Sequence, residues 1–225
     1  MNTPSVYDTI IIGGGPGGST AGAFLAKAGQ RVLVLEREVF PRFHIGESLL
    51  PFGNDVLKES GAWPKVQAAG FQLKYGAEFF VGNGSRWQRF WFARGLVPGY
   101  GQTFQVERAK FDHVLLDHAA ACGCEVRQGC AAKKVAREDE GWRVQLADGE
   151  VRGRWLIDAS GRDTFVAVHH DLDLWLVHFR IDARREGEHA GCSCLLLQFL
   201  SEIQNDLRFR RRADHHLHWE LPAAR

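Results

Sequence analysis

A run of glycines near the start of the chain has the residue types and the spacing that would bind phosphate groups. In the pattern G-x-G-x-x-G, the first glycine allows a tight turn out of a strand and the second lets the backbone approach a pyrophosphate. The third allows a helix to pack closely, and the N–H groups at the start of that helix favour an anionic ligand. The candidate phosphate-binding residues of this run are Gly13, Gly15, Pro16, Gly17 and Gly18.

Two strands and one helix are predicted around the glycine run and would hold it in place. Tyr7–Ile12 indicates a buried strand, Ser19–Ala28 has apolar residues at helical spacing, and Arg31–Glu36 contains a second buried strand. The second strand ends in Glu36, an acid able to accept hydrogen bonds from ribose hydroxyls. This βαβ unit is typical of dinucleotide binding but does not by itself distinguish NAD from FAD; an ordinary glycine-rich turn without a ligand is the alternative.

Three further segments carry motifs that favour one cofactor. They contain G-E-S-L-L-P within Phe40–Pro51, E-R-A-K-F-D within Gln105–Asp112 and D-A-S-G-R within Trp155–Thr164. With the glycine run, they resemble the flavoprotein monooxygenases of the p-hydroxybenzoate hydroxylase type, and most closely the flavin-dependent halogenases and their geranylgeranyl-reductase-like relatives. The resemblance extends from about Tyr7 to Thr164 and implies FAD as the cofactor. An NAD-binding module would leave the first and third motifs unexplained.

The resemblance implies FAD-binding roles for several residues outside the glycine run. The glycines would line the pyrophosphate, and Glu36 would hold the adenosine ribose, with Arg37 beside it in the sequence. Arg42, Glu47 and Ser48 would lie along the ribityl chain and the edge of the flavin. For Arg42, the alternative is a solvated loop charge.

Two later segments are implied to complete the flavin site. Arg108 would reach FAD from the start of its helix, and Asp158 and Gly161 would close a second loop on the phosphate side. The alternatives are a solvated charge for Arg108 and a helix cap or turn acid for Asp158.

Lys74 is the candidate catalytic residue. It lies in Phe71–Phe80, whose alternating apolar and polar residues predict a strand. In halogenase-like proteins, a lysine in a similar F-x-x-K-x-G segment faces the substrate cavity and handles hypohalous acid made at the flavin, so the resemblance implies that role here. A solvated lysine is the alternative. The aromatic stretch Trp87–Phe92 either lines an aromatic-substrate cavity or, as the favoured interpretation, forms the packed face of a sheet.

The predicted fold class is α/β: a Rossmann-like FAD-binding fold, with a βαβ unit and a three-stranded β-meander, plus part of a mixed-sheet substrate domain. We expect the FAD-binding domain at 1–70 and 106–165, and the partial substrate domain at 71–105 and 166–225, with a degenerate or truncated C-terminal end. After a helix at 107–122, the predicted strands are Glu125–Gln128, Ala132–Glu138, Trp142–Leu146, Val151–Trp155 and Leu156–Asp158. The middle three would form the meander, and the last would return to the parallel sheet.

Composition excludes several classes of protein. The 225 residues are 45% hydrophobic and 24% charged, as in globular proteins rather than disordered or collagen-like chains. A net charge of +1 provides no overall attraction to nucleic acid or acidic membranes. With no apolar run long enough for a membrane span and no signal peptide, we expect a cytoplasmic protein. The five cysteines are expected to be reduced thiols, and no metal site is predicted because two C-x-C pairs lack the spacing of common zinc sites.

The expected function is that of an FAD-binding oxidoreductase resembling flavin-dependent halogenases and monooxygenases. Reduced flavin and O₂ would act on a small organic substrate, which we expect to be aromatic. A separate flavin reductase is a candidate partner. The alternatives are a geranylgeranyl-type reductase, a ring hydroxylase and a non-catalytic FAD-binding fragment. Family members are longer and carry a G-D-A flavin segment that this sequence does not contain, so we expect the 225-residue chain alone to be inactive. After Val166, glycine and lysine become scarce while histidine and arginine cluster, which favours a truncated or frameshifted end.

Overall fold

The computed structural model describes residues 6–80, 82 and 87–166. Within these residues helices are interspersed among strands, and a partly parallel sheet is present, which confirms the predicted α/β class. The helices are α1 (Pro16–Lys27), α2 (Gly53–Ser60), α3 (Trp63–Ala68) and α4 (Arg108–Ala121). The strands are β1 (Val6–Ile12), β2 (Val32–Leu35), β3 (Gln72–Lys74), β4 (Gly76–Phe80), β5 (Trp87–Trp91), β6 (Thr103–Gln105), β7 (Glu125–Arg127), β8 (Lys134–Glu138), β9 (Gly141–Gln145) and β10 (Glu150–Asp158). The predicted histidine and arginine clusters lie outside the described residues.

The main sheet has six strands in the order β7-β2-β1-β10-β9-β8 and is mixed. The glycine run directly follows the C-terminal end of β1, an inner strand of this sheet. The pairs β1–β2, β1–β10 and β2–β7 are parallel, whereas β8, β9 and β10 pair antiparallel as a meander. All four residues of β2 are buried, as expected for a parallel strand covered on both faces. The predicted βαβ unit and meander are therefore both present, and they share one sheet.

The prediction of separate strands at Val151–Trp155 and Leu156–Asp158 was wrong. A single strand, β10, runs from Glu150 to Asp158, pairs antiparallel with β9 in its first half, and pairs parallel with β1 along most of its length. No turn-forming residue separates Trp155 from Leu156, so nothing in the local sequence ends the strand there. One continuous strand thus joins the meander to the parallel part of the sheet.

The two faces of the sheet are buried in two separate clusters of apolar side chains. Ile10 and Ile12 face one cluster with residues of the meander, whereas Ile11 faces the other together with residues of α1 and α4. This alternation follows from the period of two in a strand. A third cluster joins α2, α3 and α4 through residues such as Leu57, Val66 and Phe111.

The prediction of one strand over Phe71–Phe80 was also wrong. The segment forms two short strands in different two-stranded sheets: β3 pairs antiparallel with β6, and β4 pairs antiparallel with β5. The chain crosses between the sheets at Tyr75, whose carbonyl accepts a 2.9 Å hydrogen bond from the N–H of Phe92. At Gly76, a Cβ atom would lie only 2.2 Å from the carbonyl oxygen of Phe90, so the close approach of β5 depends on glycine.

The interpretation of Trp87–Phe92 as a packed sheet face does not hold for the described residues. Large aromatic side chains of β4 and β5 are 45% to 65% exposed. Among them, Phe79 and Phe90 contact each other edge to face, with ring centroids 5.6 Å apart. The β4–β5 ribbon therefore presents aromatic side chains on its surface.

Candidate FAD site

The glycine run forms a turn that packs against the end of β10. Gly13 has a positive φ of 106°, and a Cβ atom on it would lie 2.4 Å from the carbonyl oxygen of Ala159. A Cβ atom on Gly18 would lie 1.9 Å from the carbonyl oxygen of Gly13. Both glycines are therefore required by the fold: Gly13 for the turn out of β1, and Gly18 for the close packing of α1 on that turn.

Two other glycines of the run, Gly15 and Gly17, face open space. Gly15, the N-cap of α1, has an extended conformation with φ −67° and ψ −175°, and a Cβ atom on it would meet only Nη2 of Arg42, at 3.5 Å. A Cβ atom on Gly17 would meet nothing within 4 Å. Pro16 occupies the first turn of the helix, where no acidic side chain would repel an anion. This open side of the turn fits the phosphates of a dinucleotide, because it is where the backbone is left uncovered.

Glu36 lies at the end of β2 and holds the turn from the other side. Its side chain is buried, and its two carboxylate oxygens accept hydrogen bonds from the N–H groups of Gly14 at 2.7 Å and Glu38 at 2.9 Å. The acid predicted to bind ribose thus lies beside the glycine turn. Arg37, the next residue, forms a surface ion pair with Asp163 at 2.6 Å.

Arg42 and Arg108 converge on the buried carboxylate of Asp112. Arg108 donates two hydrogen bonds to it, from Nε at 2.7 Å and Nη2 at 2.9 Å, while Nη1 of Arg42 lies 3.2 Å from the same group. Sequence reasoning gave roles to both arginines and none to Asp112. The available signal was spacing, since Asp112 follows Arg108 by four residues and therefore lies on the same face of a helix.

Lys74 meets the segment predicted to lie along the flavin. Its Nζ donates a hydrogen bond to Oγ of Ser48 at 2.5 Å and another to the carbonyl oxygen of Leu49 at 3.0 Å. It also lies 5.2 Å from the centre of the Phe92 ring. Burial lowers the pKa of Lys74 below its ordinary value. Two segments that are distant in sequence, the G-E-S-L-L-P motif and the F-x-x-K-x-G motif, are thereby joined.

Short backbone contacts hold Glu47 and Ser48 beside β6. The N–H of Val106 donates to the carbonyl oxygen of Glu47 at 2.8 Å, and the N–H of Leu49 donates to that of Phe104 at 3.2 Å. An isolated antiparallel bridge joins Ser48 to Gln105. Since β3 pairs with the same strand, Ser48 and Lys74 are held by one common element.

Asp158 organises the loop that follows β10. One carboxylate oxygen accepts hydrogen bonds from the N–H of Ser160 at 3.0 Å and its hydroxyl at 2.5 Å, and the other accepts from the N–H of Val166 at 2.8 Å. Gly161 has a φ of 69°, which favours glycine, and a Cβ atom there would meet nothing within 4 Å. The turn-acid role weighed for Asp158 is therefore observed, in a loop that adjoins the glycine run through Ala159.

Two further features concern the described part of the chain only. No helix in residues 6–166, the gaps at 81 and 83–86 excepted, is long and apolar enough to cross a membrane. In the same residues, no group of three or more His, Cys, Asp or Glu side chains is placed to hold a metal ion. Cys122, Cys124 and Cys130 are free, and the other C-x-C pair lies outside the described residues.

The strand, glycine turn, helix and terminal acid have the arrangement of a dinucleotide-binding domain. A family profile described as "FAD binding domain" matches residues 6–175. The chain belongs to this FAD binding domain family, and FAD is its cofactor.

Solved structures similar to this chain include FAD-dependent halogenases. The myxobacterial chondrochloren halogenase CndH is 41% identical, with a TM-score of 0.64 over 71% of this chain and 38% of that one. The flavin-dependent brominase Bmp2 is 33% identical, with a TM-score of 0.63 over 73% of this chain and 40% of that one. These matches agree with the predicted resemblance.

Curated relatives carry halogenase names as well. A 1H-pyrrole-2-carbonyl-[peptidyl-carrier protein] chlorinase of Pseudomonas fluorescens is 35% identical over 182 residues, which are 71% of this chain and 40% of the relative. A tryptophan 2-halogenase of Chondromyces crocatus is 36% identical over 179 residues, 76% of this chain and 33% of the relative. The chain thus spans 40% or less of the length of these two relatives.

Proposed function

We propose that this FAD site serves a halogenase-type reaction and that Lys74 is its catalytic residue. The observation that carries the proposal is the 2.5 Å contact between Nζ of Lys74 and Oγ of Ser48, in the segment predicted to lie along the flavin. The contact links the lysine of one motif to the cofactor segment of another. The halogenases among the relatives and the similar structures support the halogenase type of reaction.

Each proposed residue has a task that its surroundings support. The open turn at Gly15 and Gly17 would bind the pyrophosphate, and Glu36 the adenosine ribose. Ser48 would orient Lys74 toward the flavin. Bound FAD, once reduced, would react with O₂ and so supply the oxidative chemistry. The chain would provide binding and orientation. The lowered pKa of Lys74 makes its amine easier to deprotonate than an ordinary lysine, which suits transfer of a halogen to a substrate.

The substrate class that we propose is a small aromatic compound, free or carried on another protein. A pyrrole-2-carbonyl group on a carrier protein and tryptophan are the substrates in the names of two relatives. A separate flavin reductase, as source of reduced flavin, and a cytoplasmic location complete the proposal.

We propose two domains, with FAD binding at 1–70 and 106–165 and a partial substrate domain at 71–105 and 166–225. The described strands support this division, because the six-stranded sheet takes its strands from 6–35 and 125–158 only. The described strands between 72 and 105 pair with one another in two small sheets, apart from the isolated bridge between Gln105 and Ser48.

The test is a reaction of the purified chain with reduced FAD, O₂, bromide and a phenol as probe. The proposal requires brominated phenol from the parent, detected by mass spectrometry, and none from Lys74→Ala, with FAD binding unchanged. This result would overturn the expectation from the sequence that the 225-residue chain alone is inactive. Lys58→Ala is the matched control, because Lys58 also lies over an aromatic ring, 5.5 Å from the centre of Trp63, but pairs with Asp55 at the surface. Hydrogen peroxide without brominated product from the parent would contradict the proposal and favour a chain that binds FAD without halogenating.

A further inference from the structure

Asp112 is the most deeply buried carboxylate near the glycine turn. It lies in α4, its side chain is 0% exposed, and its neighbours within ion-pair distance are Arg42 and Arg108. Removing a carboxylate from water is costly unless cations and hydrogen bonds replace the lost solvent. Asp112 satisfies this condition with two guanidinium groups, so the three side chains depend on one another for their positions.

Arg108 connects Asp112 to the loop that leads into the G-E-S-L-L-P motif. Its Nε and Nη2 bind the two oxygens of Asp112 in the bidentate arrangement that fixes a guanidinium plane. Its Nη1 then donates to the carbonyl oxygen of Ile45 at 2.7 Å. Gly46 has a φ of 97°, and a Cβ atom on it would lie 3.2 Å from Nη1 of Arg108, so this loop passes close to the arginine. The conformation of the loop before Glu47 is therefore coupled to Asp112.

Arg42 connects the same carboxylate to the glycine turn. Its Nη1 lies 3.2 Å from Oδ2 of Asp112, its guanidinium carbon lies 4.6 Å from the centre of the Phe40 ring, and its Nη2 reaches the open side of Gly15. A second, longer contact of 3.7 Å joins Nε to the half-exposed carboxylate of Glu38 and is expected to hold it weakly. Asp112 is therefore the stronger anchor of Arg42.

One atom of Arg42 lacks the partner that its burial requires. Nη1 is buried and makes no hydrogen bond within the described chain, because its contact with Asp112 has ion-pair distance without hydrogen-bond geometry. A buried donor without an acceptor is costly, so Nη1 depends on the charge of Asp112 to hold it there. Nη2, the other terminal nitrogen of Arg42, reaches the open side of Gly15 and is the group that fits the phosphate oxygens of FAD.

We propose that Asp112 is a positioning residue for FAD, which acts through Arg42 at the pyrophosphate turn and through Arg108 at the loop before Glu47. It touches neither the cofactor nor the substrate. A single buried carboxylate would thus fix the positions of two arginines, one beside the glycine turn at Gly15 and one beside the loop that leads to Ser48. The inference rests on FAD binding at the glycine turn, but not on halogenase activity.

The experiment compares FAD and ADP dissociation constants of the parent chain with those of Asp112→Asn. Asparagine keeps the size of the side chain but cannot hold two cations, so both ligands should bind about tenfold more weakly. Asp117→Asn is the control, because Asp117 lies on the same helix and loses the same charge from an exposed carboxylate. Its dissociation constants should equal those of the parent. FAD binding by Asp112→Asn equal to the parent would overturn the inference alone, whereas a parent without FAD binding would overturn the FAD site as well.

A double-mutant cycle separates positioning from a general loss of structure. If Asp112 acts partly through Arg42, then Asp112→Asn and Arg42→Gln together should weaken FAD binding by less than the product of their separate effects. Full additivity would contradict the inference. If Asp112→Asn does not fold, Asp112→Glu keeps the charge and shifts the carboxylate by one methylene. Folded Asp112→Glu should bind FAD at least about threefold more weakly, and a dissociation constant equal to the parent would overturn the inference.

Discussion

Replacing Gly15 with valine should strongly weaken FAD binding while leaving the fold intact. The backbone of Gly15 is extended, with φ −67° and ψ −175°, a conformation that valine adopts without strain. A Cβ atom there would meet only Nη2 of Arg42, at an ordinary contact distance of 3.5 Å. The branched side chain would instead fill the space from which a pyrophosphate must approach the turn.

The expected magnitudes differ for binding and for stability. Loss of several charge-assisted hydrogen bonds to phosphate should weaken FAD binding by about 2 kcal/mol or more, which is roughly thirtyfold. Valine is a poorer N-cap than glycine, so the free energy of unfolding should fall by only about 1 kcal/mol. Gly18→Val should have the opposite pattern, because its Cβ atom would lie 1.9 Å from the carbonyl oxygen of Gly13. It should lower the free energy of unfolding by about 3 kcal/mol or more.

The assay combines flavin fluorescence titration with urea denaturation of the parent, Gly15→Val, Gly18→Val and Gly101→Val. Gly101 is a control outside the motif, since a Cβ atom on it would meet only Ala93, at 3.7 Å or more. Its variant should bind FAD as the parent does. If Gly15→Val binds FAD as tightly as the parent, or unfolds as readily as Gly18→Val, then the open side of the turn is not the phosphate site.

Three further predictions follow from single side chains. Glu36→Ala should weaken FAD and ADP binding by similar factors, because both ligands contain the adenosine ribose. Fluorescence titration with FAD and calorimetric titration with ADP measure the two effects, and weaker binding of FAD alone would contradict the ribose-binding role of Glu36. Burial lowers the pKa of Lys74 in the folded chain. In the pH window between that pKa and the ordinary value of 10.5, the unfolded chain therefore binds more protons at this amine than the folded chain does. The free energy of unfolding should therefore gain a contribution as pH rises through this window, and urea denaturation of Lys74→Met should lack it; an unchanged pH dependence would argue against a desolvated amine. Burial raises the pKa of Cys124 to about 12, so iodoacetamide at pH 8 should label this thiol only in urea, and peptide mass spectrometry showing labelling of the folded chain would contradict the core packing.

The parts of the fold that the sequence predicted well are those that depend on local backbone chemistry. The glycine turn, the helix after it and the buried strand β2 follow from residue types within about thirty positions of one another. Gly13 and Gly18 could be assigned in advance because only glycine permits the close contacts that they make. The alternation of Ile10, Ile11 and Ile12 likewise needed no tertiary information.

The parts that were missed depend on contacts between distant segments. The break at Tyr75 arises because β3 and β4 choose different partners, β6 and β5, and the alternating pattern of the segment is the same in either case. The task of Asp112 depends on Arg42, which is remote in sequence and reaches α4 only in the folded chain. The contact between Ser48 and Lys74 has the same origin, since both flank β6. Pairing of this kind leaves no periodic signal.

The identity and amount of the bound chromophore test most directly whether this chain binds FAD at the glycine turn. The chain is mixed with excess FAD, freed of unbound ligand by gel filtration, denatured, and its released chromophore identified by chromatography and mass. We expect a yellow protein that carries about one FAD per chain, and a colourless Gly15→Val variant. A colourless parent that binds NADH instead, or a Gly15→Val variant that carries as much FAD as the parent, would contradict this expectation.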